Sequence, residues 1–252
     1  MVASGNTIVV DPGDPRGWEI VRGLGRGHQP ALIDLWRRAV RALAPDVVVD
    51  VGANYGEMVL SGSYPRGTRA LAVEANPRVA ACLRRGMAAH PDSSRIELHQ
   101  VLASDVDGGT AILHVDPRWS GSASVALQGD GLVAVEAPVR TIDHLVGGDL
   151  TGHDWVVKVD AEGWEAHILR GMHRSLQTAA STVLVVEFDP EHLRRAGTEP
   201  GDLFTLVGGI GPCWHIGRDG TLSPAREVPT DPTDLLVCSS LDVARRLDAL
   251  VA

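Results

Sequence analysis

The amino-acid sequence predicts an α/β fold: a doubly wound, mostly parallel sheet with an inserted β-hairpin and an antiparallel last strand. Short apolar runs, each with an acidic residue at or beside its carboxyl end, indicate buried parallel strands. These runs span residues 47–51, 69–74, 155–160 and 182–187. Helical patterns lie between them, as parallel strands require. Two β-rich segments at 213–216 and 234–238 flank a turn and predict the antiparallel end of the sheet.

The first 45 residues are predicted to form a cap and a helix ahead of a Rossmann-like core at 46–240. An apolar segment at 7–10 precedes proline and glycine turn signals and predicts a small hairpin or cap. Apolar residues recurring at three- and four-residue steps predict an amphipathic helix over 29–44. No repeat or linker interrupts the chain, so we predict a single domain over 1–252.

The remaining elements continue the alternation. Asn76 and Pro77 begin a helix, because proline suits the first helical turn. A third strand is predicted over 95–102. Further helices are predicted near 54–62, 163–171, 190–196, 201–207 and 242–251. Strands at 110–115 and 132–139 form the inserted hairpin, and the polar segment 117–124 that joins them is expected to be mobile.

Composition excludes several classes of function. The net charge of −9 over 252 residues argues against a nucleic-acid backbone or an anionic membrane as the main partner. Cys82, Cys213 and Cys238 are widely spaced without metal-type pairing, which favours reduced thiols. No apolar run approaches the length of a membrane span, and no signal segment is recognisable. We therefore expect a soluble, cytoplasmic protein with no nucleic-acid or membrane partner.

The segment after the first strand predicts a site for a nucleotide-like cofactor. Gly52 and Gly56 form a Gly-x-x-x-Gly turn, which differs from the Gly-x-Gly-x-x-Gly of dinucleotide binders and from a P-loop. Glu74 ends the next strand, 22 residues beyond Gly52. A carboxylate there can accept hydrogen bonds from both hydroxyls of a ribose. The two features predict an adenosine-type cofactor, with NAD and an unrelated glycine-rich turn as the alternatives.

Several blocks together resemble the FkbM-type family of S-adenosylmethionine (SAM)-dependent methyltransferases. They are Val-Asp-Val-Gly-Ala-Asn-Tyr-Gly (49–56), Glu-Ala-Asn-Pro (74–77), Ala-Ser-Asp (103–105), Thr-Ile-Asp-His-Leu (141–145), Lys-Val-Asp-Ala-Glu-Gly (158–163) and Val-Glu-Phe (186–188). The resemblance covers residues 46–190, and the 158–163 block is its most specific part. It implies a class I methyltransferase fold and SAM as the cofactor. It also implies methyl transfer to hydroxyl oxygens, commonly on sugars or glycosylated metabolites.

The resemblance further implies roles for single residues. Glu74 would bind the ribose hydroxyls, and Asp160 would face the sulfonium and the substrate. The cofactor-binding set that it implies is Asp50, Gly52, Ala53, Asn54, Gly56, Glu74, Asn76, Ser104 and Asp105. Gly52, Ala53, Asn54 and Gly56 would shape the loop under the methionine portion, Asn76 would lie beside the adenosine, and Ser104 and Asp105 would lie at the adenine edge.

A sugar hydroxyl needs a general base, a metal ion or both to react at neutral pH. Histidine is the natural base in this range. We assign catalytic roles to Asp160 and to His144, because His144 lies inside a family block just before the Asp160 strand. The family usually has a second acid at this position. His167 is the alternative base, and a neutral surface substitution at His144 is the other interpretation.

Acidic residues also suggest a metal site. Asp160 and Glu187, with Asp189 nearby, could hold Mg²⁺ through oxygen ligands, similar to metal-dependent O-methyltransferases. Alternatively, Asp160 accepts from the cofactor amine and Glu187 bonds locally. Lys158, the one lysine of the chain, is expected to pair with Glu162 or Glu187, or to snorkel.

The sequence thus predicts a SAM-dependent O-methyltransferase for a hydroxyl of a sugar or small glycoside, such as an oligosaccharide or mannoside precursor, assisted by Mg²⁺ and a histidine base. A non-sugar hydroxyl or carboxyl acceptor is one alternative, and a catalytically silent SAM-binding protein is another. Trp119 or Trp164 could stack on a sugar ring. The spare N-terminal segment and the central hairpin suggest a homodimer.

Overall fold

The computed structural model describes residues 6–23, 30–127 and 129–247. Its strands are β1 (Val47–Val51), β2 (Arg69–Val73), β3 (Ile96–His99), β4 (Leu102–Ala103), β5 (Thr110–Asp116), β6 (Trp119–Ser124), β7 (Val133–Arg140), β8 (Asp154–Val159), β9 (Ser181–Phe188), β10 (Cys213–Ile216), β11 (Leu222–Pro224) and β12 (Thr233–Cys238). Its α-helices are α1 (Pro15–Arg22), α2 (Pro30–Leu43), α3 (Pro77–Ala88), α4 (Ile142–Val146), α5 (Glu165–Arg170), α6 (His173–Thr178), α7 (Pro190–Arg195), α8 (Pro200–Ile210) and α9 (Leu241–Arg246).

The main sheet has the strand order β11-β10-β12-β9-β8-β1-β2-β3. Strands β9, β8, β1, β2 and β3 are parallel, and β12 pairs antiparallel with β9. This topology confirms the predicted doubly wound sheet with an antiparallel last strand. Strand β1 lies between β2 and β8, so the chain winds away from it in both directions. Open α/β sheets bind ligands at the carboxyl ends of strands at such a switch point.

Helices cover both faces of the sheet and account for the unbroken apolar runs. Val48 packs into the same cluster as Leu35 and Trp36 of α2, while Val49 packs into the cluster of Ile168 and Leu203 on the other face. Burial of β1 on both faces explains why its residues do not alternate with polar ones. Among the described helices, none combines the length and apolar character needed to cross a bilayer.

The insertion is larger than the predicted hairpin. Strand β5 lies between β6 and β7 and pairs antiparallel with both, and β4 adds parallel to β7. The segment 117–124 was expected to be a mobile tip, but most of it is strand β6. Ser120 and Ser124 of this strand are buried. The correction has a physical reason: the small side chains of β6 let it lie directly over the carboxyl edge of the main sheet.

The predicted helix near 54–62 is also corrected, because only a single 3₁₀ turn forms there, at Val59–Ser61. Asn54 and Gly56 have φ angles of 46° and 87°, and left-handed residues interrupt a helix before it can propagate. The carboxylate of Asp50 instead accepts the Val59 N–H at 3.1 Å. The turn after β1 is therefore a loop held by side chains rather than the start of a helix.

Several other elements also differ from prediction. The strand expected over 95–102 divides into β3, which joins the main sheet, and β4, which pairs with β7. The cap near 7–10 forms no hairpin; it leads into α1, a helix that contacts β6. Helices α4 and α6 and strand β11 were not expected. The first residue predicted for α2, Gln29, and residues 248–251 of the last predicted helix lie outside the described residues.

Candidate active site

A cavity of about 260 Å³ lies at the carboxyl ends of β1, β2, β8 and β9. The loops that follow these strands line it, and residues of β6 and Arg16 of α1 cover it. The cavity therefore occupies the switch point of the sheet. Among the described residues, its walls include Asp50, Gly52, Ala53, Asn54, Glu57, Glu74, Trp119, Ser120, Lys158, Asp160, Glu162, Trp164 and Glu187.

Gly52 is required by the close approach of two strand ends. It has a φ of 72°, and a Cβ atom there would lie 1.8 Å from the Asp160 carbonyl oxygen. The Gly52 and Ala53 N–H groups donate to Val73 O at 3.0 and 3.1 Å. Gly56 shapes the same loop from behind, because its Cβ position is filled by Leu83. Of the two predicted glycines, Gly52 lines the cavity, whereas Gly56 supports its shape.

Glu74 is held rigidly at the end of β2. Its two carboxylate oxygens accept the backbone N–H groups of Asn54 at 2.9 Å and Asn76 at 2.7 Å. Each oxygen keeps a second lone pair for another donor. Burial raises the pKa of Glu74 to about 7. Asn76 is buried and caps α3, so it positions Glu74 rather than lining the cavity.

A second wall combines Trp164 with the residues predicted at the adenine edge. Trp164 Nε1 donates to Ser104 Oγ at 3.3 Å, and Ser104 Oγ donates to Asp105 at 3.1 Å. Asp105 also contacts His167 Nδ1 at 3.0 Å, and the His167 ring stacks on Trp164. Trp164 lines the cavity itself. Ser104, Asp105 and His167 therefore act behind it.

Lys158, which is buried, and Asp160, whose side chain is 30% exposed, form an ion pair at the centre of the site. Lys158 Nζ donates to Asp160 Oδ2 at 2.7 Å, which corrects the expected pairing with Glu162 or Glu187. Burial opposes ionisation of Asp160, but the Lys158 ammonium outweighs it and lowers the pKa of Asp160. Asp50 lies opposite Lys158 in the sheet register, and burial raises its pKa to about 6. Within the described residues, Asp50 Oδ1 has no hydrogen-bond partner.

Glu162, Glu187 and His192 lie together beside this pair. Their ligand atoms are within 4.8 Å of one another. His192 Nδ1 lies 3.1 Å from Glu162 Oε2, and its Nε2 lies 3.7 Å from Asp189. Burial, and then the charge of Asp160, raises the pKa of Glu187 well above its usual range. The predicted metal pair of Asp160 and Glu187 stays a prediction: Lys158 pairs with Asp160, and Glu187 also lies close to Glu162 and His192.

The N-terminal arm, residues 6–23, contributes cavity residues that were not predicted from the sequence. Arg16 pairs with Glu57 and lines the cavity. Its Nη1 is buried and has no hydrogen-bond partner in the part of the chain that the structure describes. The arm is anchored by Asp14, which accepts Tyr55 OH at 2.6 Å and Ser120 N at 3.3 Å. The Asp-Pro-Arg pattern at 14–16 is typical of a helix start, and it was the sequence signal that could have predicted helix α1.

His144 lies away from the cavity. It is on α4, its side chain is 57% exposed, and its Nδ1 contacts Asp107 at 3.0 Å. It is not among the described residues that line the cavity. The geometry therefore gives no support to a base role for His144, because an effective base must come within hydrogen-bonding reach of the reacting hydroxyl.

The cavity is suited to a cationic ligand. Among the described residues that line it, six are acidic (Asp50, Glu57, Glu74, Asp160, Glu162 and Glu187) and two are basic (Arg16 and Lys158), a formal charge of −4 if all are ionised. SAM carries a sulfonium and an ammonium, and both would reduce this repulsion. The unpartnered Asp50 Oδ1 and the Glu74 carboxylate offer acceptors for its ammonium and ribose. The residues present therefore fit SAM.

Comparisons with known proteins agree with this interpretation of the fold. A family model described as the methyltransferase FkbM domain matches residues 50–208. A search of curated sequences finds no match. A proposed O-methyltransferase from Klebsiella pneumoniae is 12% identical and has a TM-score of 0.51, with 90% of each chain covered. TomG, an O-methyltransferase of tomaymycin synthesis from Streptomyces achromogenes solved with SAM, is 14% identical with a TM-score of 0.47, covering 93% of this chain and 92% of its own.

The doubly wound sheet, the glycine turn after β1 and the acid that ends β2 define a class I SAM-dependent methyltransferase. The chain belongs to the FkbM methyltransferase family, whose domain model matches more than half of its length. The matched region includes the cavity residues of β1, β2, β8 and β9, whereas Arg16 lies outside it.

Proposed function

We propose that this protein transfers the methyl group of SAM to a hydroxyl oxygen of a sugar or small glycoside. The observation that carries the proposal is that one cavity connects the Glu74 carboxylate to the Asp160 and Glu187 carboxylates. The first can hold a ribose, and the others can serve an acceptor hydroxyl. The hydroxyl acceptor also follows the family resemblance.

The residues around β1 and β2 would bind the cofactor. Glu74 would accept hydrogen bonds from the two ribose hydroxyls through its remaining lone pairs. Asp50 Oδ1 would accept from the ammonium, and the Gly52–Asn54 turn would pass beneath the methionine portion. Ser104 and Asp105 would bind the adenine edge indirectly, by orienting Trp164.

Asp160 would accept the proton of the acceptor hydroxyl. Its pairing with Lys158 keeps it ionised at neutral pH, so it is available as an acceptor. A carboxylate is a weak base, but the hydroxyl proton becomes strongly acidic as the oxygen gains the methyl group. Asp160 therefore takes the base role that the sequence suggested for His144. The main contribution of the site is alignment of oxygen and methyl carbon.

Trp119 and Trp164 support a sugar acceptor, since both line the cavity and offer flat apolar faces. Ser120 and Ser124 of β6 add hydroxyl groups near the same wall. This combination of ring faces and small polar groups suits a pyranose better than a purely apolar acceptor.

The test is methyl transfer from isotopically labelled SAM to a panel of glycosides, with the position of the new methyl group read by NMR. Label on a sugar oxygen supports the proposal. Label found only on non-sugar hydroxyls or carboxyls would contradict the sugar acceptor and indicate a different class of acceptor. Tight SAM binding with no transfer to any acceptor would indicate a silent binding protein and overturn the proposal.

A further inference from the structure

Three metal-ligating side chains meet at the acceptor end of the cavity. Glu162 follows β8, Glu187 is near the end of β9, and His192 lies in α7. Their ligand atoms lie within 4.8 Å of one another, and both glutamates line the cavity. Small side-chain rotations would bring all three donors onto one ion, since metal–donor distances are about 2.1 Å.

The contact between His192 and Glu162 has the spacing of two ligands on one metal ion. Nδ1 and Oε2 are 3.1 Å apart. Adjacent ligands of an octahedral ion lie about 3.0 Å apart when each is about 2.1 Å from the metal. Among the residues described, the structure gives Nδ1 no partner other than Glu162. Asp189 lies on the other side of the ring, with its Oδ2 3.7 Å from Nε2, which is longer than a hydrogen bond.

Glu187 supplies an independent observation. Its Oε2 is buried, and no hydrogen-bond donor faces it within the described ranges. A buried carboxylate oxygen without a donor is costly unless the group takes up a proton or a cation is present.

We infer that Glu162, Glu187 and His192 bind a divalent first-row transition metal of the Mn²⁺ type. The imidazole donor disfavours Mg²⁺, which prefers oxygen ligands throughout. Asp160 is left out of the set because Lys158 holds it at 2.7 Å.

The inference rests on the proposed function, since it places the metal beside the acceptor hydroxyl. Three protein ligands leave open positions that the hydroxyl can occupy, which lowers its pKa. The hydroxyl proton passes to Asp160, the new carbon–oxygen bond forms, and the sulfur–carbon bond of SAM breaks. The products are a methyl ether and S-adenosylhomocysteine.

The test is Mn²⁺ titration of the full chain, followed by the EPR signal of free Mn²⁺. We expect one bound Mn²⁺ per chain, with Mg²⁺ binding at least 10-fold weaker. Glu162→Gln, Glu187→Gln and His192→Ala are each expected to weaken Mn²⁺ binding about 10-fold or more. The matched control is His99→Ala, because His99 also contacts an acid, Glu97 at 3.4 Å, and is similarly exposed, but lies outside the cavity lining of the described residues.

Thermal unfolding of each variant identifies any that fails to fold. In that case the Mn²⁺ stoichiometry of the wild type, with and without competing Mg²⁺, decides alone. No stoichiometric Mn²⁺, or equal losses in His99→Ala and His192→Ala, would overturn the inference. Full methyl transfer by metal-stripped enzyme would overturn the metal but keep the proposed function. Specific Mn²⁺ binding without methyl transfer would support the metal site but overturn the proposed function.

Discussion

Lys158 Nζ lies 2.7 Å from Asp160 Oδ2, and both side chains line the cavity at the end of β8. The pair places a fixed negative charge near the predicted position of the sulfonium. It also keeps Asp160 ionised despite its burial. The Lys158–Asp160 ion pair therefore affects both the stability of the sheet and the chemistry of the site. A substitution in the pair can be tested for each effect.

Lys158→Met is expected to destabilise the protein by about 1–3 kcal/mol, because it leaves the partly buried Asp160 carboxylate without its charged partner. Urea unfolding measures this loss. The pKa of Asp160 should rise, so the acid limb of the kcat–pH profile should move to higher pH. The double variant Lys158→Met/Asp160→Asn should recover part of the stability but no activity. An unchanged pH profile in the single variant would contradict the assigned role of Asp160.

Gly52→Ala is expected to abolish SAM binding and to cost more than about 2 kcal/mol, since a left-handed φ and a 1.8 Å contact with Asp160 O both oppose a Cβ. Calorimetry and urea unfolding measure the two effects. Gly208→Ala is the control, because Gly208 lies in α8 with open space around its Cβ position. That variant should bind SAM normally and gain up to about 1 kcal/mol. Normal SAM binding by Gly52→Ala would be inconsistent with the turn's role.

Glu74→Gln is expected to weaken SAM binding by about 10- to 100-fold at pH 8, because charge-assisted hydrogen bonds contribute about 1.5–3 kcal/mol. The raised pKa of Glu74, about 7, predicts that wild-type affinity increases as pH rises through 7. Below that pH the carboxyl is protonated and accepts fewer hydrogen bonds. Calorimetry from pH 5.5 to 8.5 tests both statements, and Glu74→Gln should lack this pH dependence.

The same pKa predicts a stability effect in the cofactor-free protein. The folded carboxyl holds its proton up to about pH 7, whereas the usual value is 4.5. This contribution to stability is complete below pH 4.5 and is lost as pH rises to 7. The wild type should therefore lose stability relative to Glu74→Gln over that window. If the free energies of unfolding of the two proteins differed by the same amount at every pH, the raised pKa of Glu74 would be contradicted.

Arg16→Gln is expected to weaken binding of SAM about 10-fold but not of 5′-methylthioadenosine, which lacks the amino-acid portion. The buried, unpartnered Nη1 of Arg16, among the residues described, is positioned to pair with a carboxylate in the cavity. Competition binding with both ligands measures the difference. Equal losses of affinity for both ligands would mean that Arg16 acts by holding the N-terminal arm over the cavity rather than by binding the carboxylate of SAM.

Local sequence signals predicted the parts of the molecule that local chemistry determines. The β1 run, the glycine turn and Glu74 were placed correctly, because a strand end and a left-handed turn depend on neighbouring residues. The position of His144 outside the cavity lining of the described residues could not be predicted, because the placement of α4 depends on long-range packing. Arg16 reaches the cavity through long-range contacts of its own segment, with Tyr55 and Glu57 in the turn after β1 and with Ser120 of β6. The homodimer, the cytoplasmic location and the identity of the acceptor stay predictions.

The most direct test of the account compares methyl transfer and SAM binding in wild type and Asp160→Asn. The Asn side chain keeps the shape of Asp160 but cannot take the hydroxyl proton. We predict that kcat falls by about 100-fold or more, while the Kd for SAM changes less than about threefold. His144→Ala, measured alongside, should retain wild-type turnover. Wild-type turnover by Asp160→Asn, or its loss in His144→Ala, would contradict the account.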